Sequence, residues 1–216
     1  MSSDNKVKNK EITQLVWEEN PYVLNTESDE KPNCGSVLPQ KWLTEARNVV
    51  EWNEIRHGID PKNLKPKIFY KPKRTPEYDD YFVFDLGADT CFRRGFYSVE
   101  KLIEVVNKIN KSYNKTLFIS NEHSKSPIIE HFSGENKIKI KNIFEYCDVI
   151  HSCKKFICLH SGGGSLAPAI REEGILCLFP DIDQKKEILG NSYLYPNVLY
   201  MDSEYQFLNS RPDWRL

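Results

Sequence analysis

From residue 80 onward, short apolar segments alternate with amphipathic ones, and this alternation narrows the range of folds more than any other feature. Strands are predicted at residues 81–87, 116–120, 155–160 and 175–180, short strands at 138–141 and 198–201, and helices at 98–113, 142–153 and 165–173. The strand segments carry apolar residues at consecutive positions, which is typical of parallel strands that are buried on both faces. Strands that alternate with helices predict a parallel sheet with helices on both of its faces. We therefore predict an α/β fold, with a Rossmann-like domain over residues 80–202.

Less regular segments flank this domain. Residues 1–40 are polar and are predicted to be partly disordered, with one short strand within residues 12–25. Residues 41–79 are predicted to be a helix at 41–57 and then a proline- and lysine-rich connection, with a short strand at 67–70. This segment reads as a linker or as the remnant of an N-terminal domain. Residues 203–216 form a C-terminal tail.

Composition and charge argue against several classes of function. The 216 residues have a formal net charge of −1, so the sequence predicts no nucleic-acid partner. No segment reaches the ~18 apolar residues that a membrane helix needs, and the polar N-terminus lacks the apolar core of a signal peptide. These features predict a soluble, cytoplasmic protein with no membrane span. Six cysteines without a CxxC pair predict reduced thiols and no metal site.

The turn HSGGGS, residues 160–165, is the strongest candidate for a binding site. It follows a predicted strand and precedes a predicted helix, and ligands of parallel sheets bind beyond the carboxyl ends of the strands. Glycine lets backbone N–H groups approach an anion, and the helix N-terminus adds about half a positive charge. Ser161 and Ser165 can donate hydrogen bonds to phosphate oxygens, and His160 can contact a ligand or cap the turn. The alternative is a tight corner that needs the backbone freedom of Gly162, Gly163 and Gly164.

A catalytic nucleophile at this turn is disfavoured. Gly163, Gly164 and Ser165 form a loose variant of the nucleophile elbow of hydrolases, in which the catalytic histidine follows the serine in the chain. All five histidines of this sequence precede Ser165. The turn is therefore interpreted as an anion site or a corner.

Four residues in two other turns are further candidates. Arg93 and Arg94 follow the first strand of the domain, and guanidinium groups match phosphate oxygens in pairs. Two solvated arginines on a loop are the alternative. Glu122 and His123 follow the second strand, where they would act as a base or contact a nucleoside, or belong to an exposed loop.

The succession of segments resembles the C-terminal, donor-binding domain of GT-B glycosyltransferases, most of all the heptosyltransferase-like family (glycosyltransferase family 9). The similar stretches are GADTCFRRGFYSVEKLIEVV, LFISNEHS, IFEYCDVIHSCKKF, HSGGGSLA and ILCLFP. HSGGGSLA stands where that family has D-[ST]-G-P-x-H-L-A, the turn at the donor phosphates. It departs from the family pattern at His160, where the family has Asp, and at Ser165, where it has His.

The resemblance implies a protein that binds a nucleotide sugar as a substrate and needs no metal or other cofactor. Ser161, Gly162–Gly164 and Ser165 would hold the diphosphate, and Arg93 or Arg94 would neutralise charge on the leaving nucleoside diphosphate. The acceptor would be a glycan or a lipid-linked molecule. A GT-B enzyme also needs a complete N-terminal domain, so the resemblance implies that a separate N-terminal half or another copy of the chain supplies it, together with the catalytic base. The alternative hypothesis is a truncated, non-catalytic subunit that binds a nucleotide or interacts with a partner protein.

Overall fold

Six parallel strands form a single sheet in the computed structural model. The structure describes residues 10–21, 50–51, 54, 60, 62–93, 95–120, 126–132, 136–179, 195–202, 204–205 and 207. The strands are β1 (Phe82–Asp85), β2 (Thr116–Ser120), β3 (Lys137–Lys139), β4 (Lys155–Leu159), β5 (Ile175–Leu178) and β6 (Leu199–Met201). Their order is β3-β2-β1-β4-β5-β6, and each neighbouring pair is parallel. This is the strand order of a Rossmann fold, which confirms the predicted fold class.

The described α-helices include α1 (Lys10–Thr13), α2 (Asp89–Arg93), α3 (Val99–Lys111), α4 (Pro127–His131), α5 (Ile143–Ser152) and α6 (Gly162–Ile170). Apart from α1, which precedes the sheet in the chain, these helices lie between successive strands. A π-helical turn, Gln14–Glu18, continues α1, and a 3₁₀ turn spans Pro76–Tyr78. Among the described helices, none combines the length and the apolar character that spanning a lipid bilayer would take.

The central strand β1 buries alternate side chains on opposite faces of the sheet. Phe82 and Phe84 belong to one apolar cluster, together with the buried faces of α3 and α4. Val83 belongs to a second cluster, on the face that α5 and α6 cover. The sheet therefore has an apolar core on each side, which explains why its strands read as continuous apolar runs.

Helix α3 forms because its apolar residues recur at helical spacing and its first turn is capped. Its buried residues are Leu102, Val105, Val106 and Ile109, a single stripe along one face of the helix. The Ser98 hydroxyl accepts a hydrogen bond from the Lys101 N–H at 3.3 Å. The structure thus confirms the helix that the sequence predicts at 98–113, with Ser98 as its N-cap.

Helix α5 carries a reciprocal cap whose loss has a measurable cost. The Asn142 side chain accepts a hydrogen bond from the Glu145 N–H at 2.8 Å, and the Glu145 carboxylate accepts one from the Lys141 N–H at 2.6 Å. We expect Asn142→Ala to lower the free energy of unfolding by about 1 kcal/mol, because it leaves helix N–H groups unpaired. Urea unfolding measures this change. Asn142→Asp keeps an acceptor at the same position and should retain wild-type stability; an equal loss in both variants would contradict the capping role.

Helix α6 begins three residues earlier than predicted and ends three residues earlier. Gly162, Gly163 and Gly164 form its first turn, because the backbone of Ser161 is already extended and the Ser165 N–H bonds to the Ser161 carbonyl. The helix ends at Ile170 because Arg171 is extended. The Arg171 guanidinium donates to the carbonyl oxygens of Ile150 and Cys153 at 3.0 and 2.8 Å, so it joins α5 and α6.

The strand predicted within residues 12–25 is wrong in its described part. Residues 10–18 are helical. Leu15 is buried, and the Glu11 carboxylate accepts a hydrogen bond from the Ile143 N–H at 2.9 Å, at the start of α5. These contacts with residues far away in the sequence favour a helical turn in a segment whose local sequence pattern is ambiguous.

The strand predicted at 67–70 is also wrong, because side chains of α5 bind this connection instead of a neighbouring strand. Asp148 accepts hydrogen bonds from the Tyr70 hydroxyl at 2.9 Å and from the Lys73 N–H at 2.8 Å. Ser152 accepts one from the Thr75 N–H at 2.7 Å. The connection thus runs along the outside of α5. The predicted helix at 41–57 and the tail at 203–216 lie almost wholly outside the described residues.

Candidate functional site

A cleft of about 810 Å³ opens at the carboxyl edge of the sheet. Its walls are the turn after β1, the ends of β2 and β3, the starts of α5 and α6, and the helical turn at residues 11–16. The sheet adds strands in opposite directions from β1 and β4, so this cleft lies at the topological switch point. Parallel α/β sheets bind their ligands at this place.

The N-cap of α6 has an unused hydroxyl group at the cleft. The backbone of Ser161 is extended, as an N-cap requires, but its side chain makes no capping hydrogen bond. The Oγ atom is buried and has no hydrogen-bond partner among the described residues. A buried polar atom without a partner costs about 1–3 kcal/mol. Ser161 lines the cleft, so a ligand oxygen bound there would supply the missing partner.

The three glycines that begin α6 have three different surroundings. A Cβ atom at Gly163 would lie 2.5 Å from Asp85 Oδ2 and closer still to the Tyr146 hydroxyl. One at Gly164 would lie 3.1 Å from the Leu159 carbonyl oxygen. One at Gly162, which lines the cleft, would have no neighbour within 4 Å. Packing therefore explains Gly163 and Gly164, whereas Gly162 leaves open space for a ligand.

The corner interpretation of the turn does not fit its backbone. Among the described residues, the glycines with positive φ are Gly95 and Gly174, at 70° and 73°. Gly162–Gly164 are helical. The left-handed conformation that would demand glycine is thus not used at this turn, and close approach by other groups is the physical reason for Gly163 and Gly164.

Asp85 and Tyr146 form a hydrogen-bonded pair in the wall of the cleft. The Asp85 carboxyl group bonds to the Tyr146 hydroxyl and accepts a hydrogen bond from the Gly87 N–H at 3.0 Å. Burial raises the pKa of Asp85 above its ordinary value of 3.8, even though both hydrogen bonds act in the opposite direction. Burial, and then the neighbouring Asp85 charge, raise the pKa of Tyr146 well above its ordinary value.

Neither member of this pair stands out in the sequence. Asp85 is the last residue of an apolar strand, and that position, an acid at the carboxyl end of a parallel strand, is the signal that could have identified it. Tyr146 lies within an amphipathic helix and has no comparable signal. The two meet where α5 and β1 come together, and they occupy the space that a side chain at Gly163 would need.

The structure places His160 and Ser165 beside the cleft rather than in its lining. The His160 N–H donates to the Tyr97 hydroxyl at 2.9 Å, and that hydroxyl donates to the Leu178 carbonyl at 2.7 Å. The imidazole packs edge-on against Phe179, with ring centroids 4.7 Å apart. The backbone of His160 thus helps to hold the ends of β4 and β5 together. Ser165 lies on the first turns of α6 and is partly exposed.

The charged residues of the cleft differ from those that the sequence suggests. Arg93 is exposed at the end of α2 and is not part of the cleft lining. Among the described residues, the lining contains one basic side chain, Lys141, and three acidic ones, Glu11, Asp85 and Asp89. Three further candidates, Arg94, Glu122 and His123, lie outside the described residues.

Two other observations bear on cofactors. The part of the chain that the structure describes contains no group of three or more His, Cys, Asp or Glu side chains that could hold a metal ion. Its five cysteines, Cys91, Cys147, Cys153, Cys158 and Cys177, are free thiols.

The chain was compared with known protein families, curated proteins and solved structures. No family model, no curated protein and no solved structure matches the chain. The resemblance to GT-B glycosyltransferases therefore stays a prediction from the sequence motifs.

Proposed function

We propose that this chain binds the diphosphate of a nucleotide sugar at the N-terminus of α6, as the donor-binding domain of a GT-B, heptosyltransferase-like glycosyltransferase. The observation that carries the proposal is the buried hydroxyl of Ser161, a residue that lines the switch-point cleft, because this hydroxyl has no partner among the described residues. Hydroxyl groups at this position commonly cap their own helix. One that does not is available to a ligand.

The N-terminus of α6 suits a phosphate group for two further reasons. The first N–H groups of a helix have no partners within it, and the helix dipole favours negative charge at that end. Gly162 carries no side chain between these groups and the cleft. A phosphate oxygen bound there could accept from the backbone N–H groups and from Ser161 together.

Sugar transfer would require groups beyond this site. In the proposed reaction, an acceptor hydroxyl on a glycan or a lipid-linked molecule displaces the nucleoside diphosphate directly, without requiring a metal. The proposal assigns the catalytic base and the acceptor site to a separate N-terminal GT-B half or to a second copy of the chain. We name no catalytic residue.

A second candidate function is nucleotide binding without transfer. It is favoured by the charged residues of the described lining, which comprise one basic side chain, Lys141, and three acidic ones, Glu11, Asp85 and Asp89. A nucleoside diphosphate gains negative charge as it leaves, and a lining rich in carboxyl groups stabilises that charge poorly. Binding of a nucleotide sugar without turnover, across glycan and lipid-linked acceptors, would support this second candidate.

Calorimetric titration of the full chain tests the binding site. UDP-glucose, GDP-mannose and ADP-glucose carry a diphosphate, and CMP-sialic acid serves as the monophosphate comparison. For the nucleotide sugar that binds, we expect Ser161→Ala to weaken the affinity about tenfold or more, since a hydrogen bond to a charged group contributes about 1.5–3 kcal/mol.

The matched control for this titration is Ser165→Ala. Ser165 lies on the same helix but is not part of the cleft lining, so its variant should bind like the wild type. The absence of binding by every nucleotide sugar would refute the proposal. Equal effects of the two serine substitutions would place the ligand elsewhere.

A further inference from the structure

The Asp85 carboxyl group lies beside the first turn of α6, where the proposed function puts a phosphate nearby in the same cleft. It touches the first turn of α6, since its Oδ2 atom is 2.5 Å from the place of a Cβ on Gly163, and it lines the same cleft. An ionised carboxylate and a phosphate at the same helix N-terminus repel each other, so the state in which both are ionised costs free energy. If an anion binds at α6, the charge of Asp85 must therefore change or be neutralised.

The groups around Asp85 offer it little neutralisation. Tyr146 faces it from α5, Cys158 lies near it on β4, and the Gly87 N–H bonds to it from the following turn. The acids Glu11 and Asp89 and the base Lys141 also line the cleft. No hydrogen bond or ion pair between Lys141 and Asp85 is seen among the described residues. Burial favours the uncharged carboxyl group, and it raises the pKa of Asp85 already without a ligand.

The number of hydrogens in the Asp85–Tyr146 pair decides whether it can bind an anion. When Asp85 is ionised, the pair has one hydrogen, which is shared between the two oxygens. When Asp85 is protonated, the pair has two hydrogens, and one of them is free to point into the cleft. Therefore the two side chains can hydrogen-bond to each other and also donate a hydrogen bond to a ligand only when Asp85 is protonated.

We propose that Asp85 takes part in donor binding as an uncharged carboxylic acid, so that the Asp85–Tyr146 pair donates a hydrogen bond to a phosphate oxygen and binding of a diphosphate diester takes up one proton. This inference rests on the proposed function. It also assigns the pair a role in selecting ligands, because a group that donates a hydrogen bond here favours phosphate oxygens over cationic groups.

The sign of the pH dependence follows from linkage. The bound anion raises the pKa of Asp85 further, because it disfavours the carboxylate. Proton uptake is then expected between the pKa of the free protein and that of the complex. In this window the affinity falls as the pH rises, by at most about tenfold per pH unit for one proton. Below the window Asp85 is protonated in both states, and the affinity is constant.

The test is calorimetry of the full chain with UDP-glucose, GDP-mannose and ADP-glucose from about pH 5 to about pH 8. Each titration is repeated in two buffers of different ionisation enthalpy, which gives the number of protons taken up. These ligands suit the experiment because a diphosphate diester lacks the step near pH 6, about the second pKa of a phosphate monoester, that would add its own proton exchange.

Two variants assign the proton. Asp85→Asn keeps the size of the side chain and a hydrogen-bond donor but cannot titrate, so its binding should be independent of pH and free of proton uptake. Asp89→Asn removes another acid of the cleft and should retain the uptake seen in the wild type. Thermal unfolding of both variants checks that they fold.

The possible results separate this inference from the proposed function. Binding by the wild type with no proton uptake and no pH dependence overturns the role of Asp85 and leaves the nucleotide-sugar site intact. Proton uptake that persists in Asp85→Asn overturns it as well. If none of the three ligands binds, both the site and the inference fall. Uptake in the wild type that Asp85→Asn abolishes and Asp89→Asn retains supports the inference.

Discussion

Replacing Phe84 with alanine is expected to lower the free energy of unfolding by about 3–5 kcal/mol, the range for an aromatic ring removed from a packed core. Phe84 is fully buried on the central strand β1. Its ring stacks on Phe118 with centroids 4.8 Å apart and belongs to the cluster that α3 covers. The alanine variant leaves a cavity between the sheet and α3 that the rigid neighbours cannot fill. Urea unfolding measures the loss.

The matched control is Phe207→Ala, because Phe207 is 46% exposed. Its loss should change the stability by no more than about 0.5 kcal/mol, as is usual for surface positions. A cost below about 1.5 kcal/mol for Phe84→Ala, under the usual range for such a change, would mean that α3 does not pack on this face of the sheet. The pair of variants therefore tests the two-faced core on which the position of the cleft depends.

Much of this fold can be predicted from local sequence because each central strand is buried on both faces. A run such as Phe82, Val83 and Phe84 is apolar at every position, and only a strand between two layers of helices uses all three side chains in a core. The strand order is different. It depends on which strands pair across the sheet, and the periodicity of apolar residues carries no information about that pairing.

The N-terminal segment shows where a local pattern fails. Leu15 and its neighbours fit a short strand as well as a helical turn, and neither pattern is long enough to decide. The structure is decided by the bond from the Ile143 N–H to Glu11, which joins residues 132 positions apart, and by the burial of Leu15. Such contacts cannot be read from a window of sequence.

The start of α6 shows a second limit. Glycine is a poor helix former, so three glycines in a row suggest a loop before the helix. In the fold, α6 begins at Gly162, and Asp85 and Tyr146 occupy the space that a side chain at Gly163 would need. The position of the turn at the sheet edge could be predicted. The different reasons for its three glycines could not, because they depend on residues from β1, β4 and α5.

The first turn of α6 and the Asp85–Tyr146 pair belong to one arrangement. Gly163 lets Asp85 and Tyr146 reach the first turn of α6, while Gly162 leaves that turn open to the cleft. A side chain at Gly163 would therefore disturb the packing of the fold, whereas one at Gly162 would disturb access to the cleft. This difference gives the sharpest test of the site, since two neighbouring residues of the same type should respond to the same substitution in different ways.

Gly163→Ala is expected to lower the free energy of unfolding by about 1–3 kcal/mol, the usual cost of forcing an extra carbon into a packed site. Its Cβ would displace Asp85 and Tyr146 from their hydrogen bond. Gly162→Ala should not destabilise the fold, and it can stabilise it by up to about 1 kcal/mol because alanine is the better helix former. Urea unfolding of the two variants, with Ser165→Ala as the control on the same helix, gives this comparison.

At Gly162 we expect the substitution to weaken ligand binding without a loss of stability. A methyl group there would take up open space at the lining of the cleft, so the affinity for the nucleotide sugar should fall by about 5- to 150-fold, as a steric conflict of about 1–3 kcal/mol implies. A Gly162→Ala protein that is stable and binds like the wild type would show that no ligand approaches the first turn of α6. A stable Gly162→Ala protein that no longer binds would show that the two glycines have different roles. Gly163 would then be needed for the stability of the fold, and Gly162 for the access of the phosphate to α6.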